Sequence, residues 1–244
     1  METRELLDQG WTEPSTTAPR RLIMAVQGWP KSGKTHFALA SCEEPVFYIN
    51  ADNGAEGVVE QFIKAGRQIV EHRVNIPDAF EMPEAKAKGL YLPIWEETKA
   101  MIRKAWANNQ GTLVLDTETE IYELIRLARF GKLTQILQHH YGPVYAELNG
   151  LLRDAAYESN MSAIYIRKMD KDFNTGQPIS KGYKNTPYDT QINVEVSRVQ
   201  EPGESDAFRV GVLDCRHDPR LNRQFYNGPV ATFDFLLGMV HGSR

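Results

Sequence analysis

Residues Gly28 to Thr35 read G-W-P-K-S-G-K-T, between an apolar run from Leu22 to Gln27 and a helix-like run from His36 to Ser41. The spacing GxxxxGK[ST] points to phosphate chemistry. Backbone N–H groups of a glycine turn wrap phosphate oxygens, and the helix start that follows favours the anion. Gly28 and Gly33 leave room for oxygens to approach the main chain, with Trp29, Pro30, Lys31 and Ser32 forming the loop between them. Lys34 then reaches for the β- and γ-phosphates, the Thr35 hydroxyl binds Mg²⁺, and His36 follows at the start of the helix. The plainer alternative is a loop that only caps a helix through Ser32 or Thr35.

A second motif fits the same chemistry. Gly111 to Asp116 reads G-T-L-V-L-D, an apolar run ending on a carboxylate, in the form of a Walker B strand. Asp116 there holds Mg²⁺ through water, because this ion keeps several waters and takes one or two carboxylates beside nucleotide phosphates. Without the loop upstream, Asp116 would read equally well as a polar residue closing a buried strand.

Positioning these residues requires a substantial core. The 244 residues suffice for one large α/β domain, read as residues 21–244 behind an irregular arm over 1–20 that carries Gly10, Pro14, Pro19 and Trp11. Trp11 packs on its own domain or anchors on a neighbouring subunit. The net charge of −4 supplies no global field for nucleic acid, so any such contact must be local. Cys42 and Cys215 are too few for a disulfide scaffold and lack metal-ligand spacing, which suits a reducing cytoplasm. No apolar run approaches the roughly 20 residues of a membrane span, and the acidic start is no signal peptide. The expectation is a cytoplasmic protein without a membrane partner.

Strand patterns at Pro45–Asn50, Gln68–Val74, Gly111–Asp116 and Ser162–Arg167 alternate with helical ones at Ala55–Ala65, Trp95–Asn108, Glu118–Phe130 and Val144–Ser159. Ile76 to Pro93, with three prolines, reads as a surface excursion. Gln191–Val199 and Phe208–Leu213 read as an antiparallel extension. The order predicts a mainly parallel sheet flanked by helices, with antiparallel strands at its C-terminal end. Ligands in such sheets sit beyond the carboxyl ends of the strands, which lines up the phosphate loop, Asp52, Asp116 and Arg167 on one edge.

In this order G-W-P-K-S-G-K-T, V-F-Y-I-N-A-D-N-G, T-L-V-L-D-T and A-I-Y-I-R-K resemble RecA-like P-loop ATPases, over roughly Leu22 to Leu213. The nearest resemblance is to the minimal RecA-like ATPases of bacteriophages, which serve single-strand annealing or recombination. The resemblance implies ATP with Mg²⁺, hydrolysis stimulated by DNA, and assembly into a ring or filament. It implies a water-activating carboxylate after the second strand, where Asp52 stands in place of the usual Glu, with Glu118 as its rival. It also implies a γ-phosphate sensor at the strand ending Arg167-Lys168, where a basic residue replaces the usual amide or His.

Two DNA loops follow from the same resemblance. The first candidate stretch carries Arg126, Arg129 and Lys132 with His139, His140 and several aromatics, and has no carboxylate from Leu124 to Ala146. The second carries Lys171, Phe173, Lys181, Tyr183 and Lys184, with Gly176 and Gly182. Cations would track phosphates and rings would stack on bases of single-stranded DNA. Solvated basic faces are the plain alternative for both. A metal at His139-His140 is not expected, since neighbours on a helix point apart. Other readings of the chain are a nucleotide-gated assembly protein or DNA motor with slow hydrolysis, or a small-molecule phosphotransferase.

Overall fold

The computed structural model describes residues 20–52, 54–78, 84–132, 137–199 and 207–242. All but the last residue of the expected arm over 1–20, Trp11 included, lies outside them. The short apolar runs form strands β1 (Ile23–Gly28), β2 (Val46–Asn50), β3 (Ile69–Arg73), β4 (Thr112–Asp116) and β5 (Ser162–Lys171). Then come β6 (Pro178–Ser180), β7 (Ile192–Val199), β8 (Ala207–Cys215) and β9 (Phe225–Asn227). Among the described residues these make one sheet in the order β3-β2-β4-β5-β1-β7-β8-β9, with β6 pairing β5. Every neighbour pair from β3 to β7 is parallel, whereas β8 and β9 run antiparallel. The antiparallel extension therefore begins with β8, and β7 still belongs to the parallel core.

Helices α1 (Lys34–Ala40), α2 (Val59–Lys64), α3 (Glu84–Asn108), α4 (Glu118–Phe130) and α5 (Tyr141–Leu148) cross between strands. Short turns α6 (Ala155–Glu158) and α7 (Thr186–Asp189) and the terminal α8 (Phe233–His241) complete the set. Because strand side chains alternate faces, the sheet divides its core in two. One face packs Leu113, Leu115, Ala163 and Tyr165 against Trp95 and Ile102 of α3 and Ile121, Leu124 and Ile125 of α4. The other packs Val26, Tyr48, Val114, Ile164 and Ile166 against Phe37 and Leu39 of α1 and Phe233 and Leu236 of α8. Covered on both sides, β1 and β4 show nearly unbroken burial, which explains their continuous apolar sequence.

Three stretches depart from the sequence reading. The excursion expected over Ile76 to Pro93 is helical from Glu84 onward, and α3 runs straight through Pro93. An interior proline costs a helix about 3 kcal/mol. Tyr91 and Trp95, both buried, flank it, and burying two large aromatic side chains outweighs that cost. The helix expected over Val144–Ser159 is interrupted by a π-type stretch at Asn149–Asp154. Strand β5 extends four residues past Arg167 and folds back through β6 as a hairpin. No described helix is long and apolar enough to cross a membrane.

Candidate active site

The phosphate loop closes on itself. Ser32 N–H donates to the Trp29 carbonyl at 3.2 Å, and Phe37 N–H donates to that of Gly33 at 2.9 Å, starting α1. Gly33 takes φ 97°, a left-handed value that an L side chain resists, and Lys31 takes φ 63°. Gly28 has no room for a side chain: a Cβ there would lie 2.5 Å from the Val196 carbonyl oxygen and 2.6 Å from Ser32 Oγ. Lys34 Nζ donates to the carbonyls of Gly28 at 2.9 Å and Trp29 at 3.0 Å, so its ammonium spans the loop. Burial lowers the Lys34 pKa from its ordinary value, against the pull of Asp116 and Asp52. The Ser32 hydroxyl is buried with no hydrogen-bond partner among the described residues.

Strand β4 carries the carboxylate to this loop. Thr35 Oγ1 donates to Asp116 Oδ2 at 2.6 Å, and Tyr48 OH donates to the same oxygen at 2.9 Å. Asp116 continues the face of Val114, which is the α1 face, and pairs with Asn50 of β2 and Ile166 of β5. Burial pushes the Asp116 pKa up, and the two hydroxyl donors counter it. A threonine hydroxyl beside a carboxylate is a hard-oxygen donor pair, the type Mg²⁺ takes, so the residues fit the ion. Tyr48 was missed from sequence, although its alternate position in V-F-Y-I-N places it on the same face as Asp116. The Asp116–Thr117 peptide is cis, and Thr117 caps α4 by accepting from Glu120 N–H.

Beside this pair stands a three-residue ionic cluster. Lys168 Nζ lies 2.5 Å from Asp52 Oδ1 and 2.6 Å from Glu120 Oε1. Lys168 sits in register with Gly28, the first residue of the phosphate loop. Burial opposes its charge, but the hydrogen bonds to Asp52 and Glu120 prevail and hold its pKa above the ordinary value. All three side chains stay about one-third exposed, at 34%, 38% and 30% for Lys168, Asp52 and Glu120. Glu120 was not singled out in the sequence. Its only signal was its place in the first turn of α4, four residues after Asp116.

Glu118 and Arg167 require correction. Strand alternation turns Arg167 to the face of Ala163 and Tyr165, away from α1, where it is 2% exposed. There Arg167 Nε lies 3.4 Å from Glu118 Oε2, and Arg167 Nη2 donates to the Tyr183 carbonyl at 3.0 Å. Glu118 is fully buried and also accepts from Tyr183 N–H at 2.9 Å. Burial pushes its carboxyl up to about 7, although Arg167 pulls the other way. The pair ties α4 to the segment after β6. Of the basic strand end, Lys168 and not Arg167 reaches the phosphate edge.

On the other side of α1 a cavity of about 390 Å³ opens next to Gly33, lined by His36, Phe37, Arg198, Phe208 and Pro229 among others. Its walls are aromatic and aliphatic with a few polar groups, the composition that suits a flat heterocycle. Phe37 and Phe208 stack with centroids 6.3 Å apart. Burial lowers the His36 pKa, and Arg198 lowers it further.

The expected DNA contacts separate into two groups. Arg126 is buried and engaged by Glu123, Arg129 pairs with Glu147 at 2.8 Å, and Tyr183 is 3% exposed with its hydroxyl 2.6 Å from Asn149 Oδ1. Arg126 and Tyr183 are held inside the fold, which corrects their reading as nucleic-acid contacts, whereas Arg129 stays exposed beside its carboxylate partner. Lys132 follows α4 half-buried. The β5–β6 hairpin is different: Lys171 and Phe173 stand out from it, with Phe173 fully exposed, and Lys181 pairs with Asp170 on its flank. Just beyond, Lys184 is exposed with its ammonium 5.7 Å from the Tyr145 ring centroid.

No family model matches the chain, and no curated protein matches its sequence. Among solved structures, the chain is similar to the RadB recombinase at 16% identity, over 86% of this chain and 87% of that one, with a TM-score of 0.48. It is also similar to a prototypical ATPase from the type III secretion system of pathogenic bacteria, at 10% identity over 72% of this chain and 51% of that one, with a TM-score of 0.46.

Proposed function

We propose that this chain is a Mg²⁺-dependent RecA-like ATPase that acts on single-stranded DNA. The observation that carries the nucleotide reading is the 2.6 Å contact between Thr35 and Asp116, which lie 81 residues apart in sequence. It brings the hydroxyl end of a phosphate-loop motif onto the carboxylate of the strand motif. The loop amides and Lys34 would hold the triphosphate, Thr35 and Asp116 would hold Mg²⁺, and the cavity beside His36 and Phe208 would seat the base. The bound ion supplies neutralisation of phosphate charge and fixes the oxygens in place. Asp52, the partly exposed carboxylate of this edge, would orient the attacking water by accepting its hydrogen bond. Lys168 would meet the γ-phosphate, since it neighbours Gly28 in register.

Lys171, Phe173 and Lys184 support the DNA part of the reading, because all three are exposed on or just after the β5–β6 hairpin. Assembly into a ring or filament and a place in phage recombination or annealing belong to the same proposal. Calorimetry with Mg·ATP tests its base. The wild-type protein should bind, and Lys34→Ala and Asp116→Asn should each lose at least about tenfold in affinity or turnover. Absence of heat with every common purine triphosphate would overturn the reading.

A further inference from the structure

Lys168 is held by two carboxylates of different origin. Asp52 follows β2, Glu120 lies in the first turn of α4, and Lys168 itself lies on β5. An ammonium carries three donors, so two carboxylates do not saturate it. Its backbone is fixed independently: Lys168 N–H donates to Thr119 Oγ1 at 3.1 Å, and the Lys168 carbonyl accepts from Lys181 N–H at 2.8 Å. Only the side chain is therefore placed to exchange partners, and its stem begins beside the loop where phosphate would arrive.

We propose that Lys168, Asp52 and Glu120 form a clasp that masks the water-orienting carboxylate until a triphosphate binds, with Glu120 as the positioning residue that keeps Lys168 in place once Asp52 is released. The inference rests on the nucleotide reading above and goes further by assigning a regulatory role to Glu120. The physical argument is one of competition. While Lys168 occupies Asp52, that oxygen's lone pairs are engaged and accept poorly from water. A polyanion at the loop attracts Lys168 and repels Asp52, which draws the two apart. Glu120, anchored on a helix that starts two residues beyond Asp116, then serves as the remaining acceptor and keeps the lysine, now turned toward the phosphate, from returning to Asp52.

The test is steady-state turnover of the full chain with Glu120→Gln and Glu120→Asp, alongside binding of a fluorescent ATP analogue. Glu120→Gln loses the charge that competes with Asp52, so kcat should fall about tenfold while KM for ATP and analogue affinity stay within about twofold. Glu120→Asp keeps the charge and should recover part of kcat. An unchanged kcat in the folded Gln variant would overturn the clasp, as would matching losses in kcat and analogue affinity. If Glu120→Gln does not fold, Glu120→Asp alone decides: reduced kcat at unchanged KM supports the clasp, and wild-type kinetics overturn it. Wild-type protein that binds no analogue would instead overturn the nucleotide reading itself.

Discussion

At Asp116 one carboxylate oxygen accepts from two hydroxyls, Thr35 and Tyr48, while the residue is only 4% exposed. Those donors offset the cost of holding a charge in the interior, so removing one has a defined consequence. Tyr48→Phe should destabilise the protein by about 1–3 kcal/mol, the range for a lost hydrogen bond to a buried charged group. Urea unfolding without nucleotide measures it, and an unchanged midpoint would mean the Tyr48 hydroxyl gives the carboxylate nothing. Cys42 offers a second residue-scale check. Burial pushes its thiol up to about 11, against the charge of Arg67, whose Nη2 lies 3.5 Å from the sulfur. The folded thiol thus holds its proton more tightly than the unfolded one. That stability is complete below the unfolded pKa near 9 and is lost as pH rises toward about 11, in total on the order of 2–3 kcal/mol. Urea midpoints at about pH 8 and about pH 10.5 should therefore drop more in wild type than in Cys42→Ala.

At the scale of elements, the Glu118–Arg167 pair joins α4 to β5 and, through Tyr183, to the segment after β6. Removing one member of a buried pair leaves the other charged without a partner, which costs about 3–5 kcal/mol, whereas replacing both by apolar groups is often close to neutral. Arg167→Met should therefore destabilise strongly, and Arg167→Met with Glu118→Leu should recover most of the loss; urea unfolding of the three proteins checks it. Additive losses would show that the two side chains do not act as a pair. The same two residues show where sequence reading stops. The strands were legible because residues such as Leu113 to Leu115 and Ala163 to Ile166 are buried on both faces, and α4 because Ile121, Leu124, Ile125 and Ala128 share one stripe. A one-residue step along β5 changes the face, so the difference between Arg167 and Lys168 depends on which side α1 packs, and that is a tertiary fact. Glu120 was invisible for the same reason: its partners come from β2 and β5. The start of α3 was hidden by Pro93, whose local penalty is overridden by the burial of Tyr91 and Trp95.

For the whole molecule, 28 basic residues face 32 acidic ones, so its overall field repels a polyanion. Single-stranded DNA would have to be held by a local patch, and among the described candidates the β5–β6 hairpin and its flank present one. The residues there divide by mechanism. Lys171 and Lys184 are exposed cations, and each phosphate they neutralise adds about 0.7 to the slope of log affinity against log salt for a single strand. Lys181 is already paired with Asp170 and should add less. Phe173, fully exposed, would act by stacking, worth about 1–3 kcal/mol and carrying no charge. Replacing Lys171 and Lys184 by alanine should therefore flatten the salt dependence by about 1 to 1.5, while Phe173→Ala should weaken binding at every salt concentration and leave the slope alone. Fluorescence anisotropy of a labelled oligonucleotide between about 50 and 200 mM salt separates the two effects, with basal ATP turnover as the control that should not move. If neither pair nor ring alters binding, the hairpin is not the DNA surface, and the nucleotide edge would have to serve another partner.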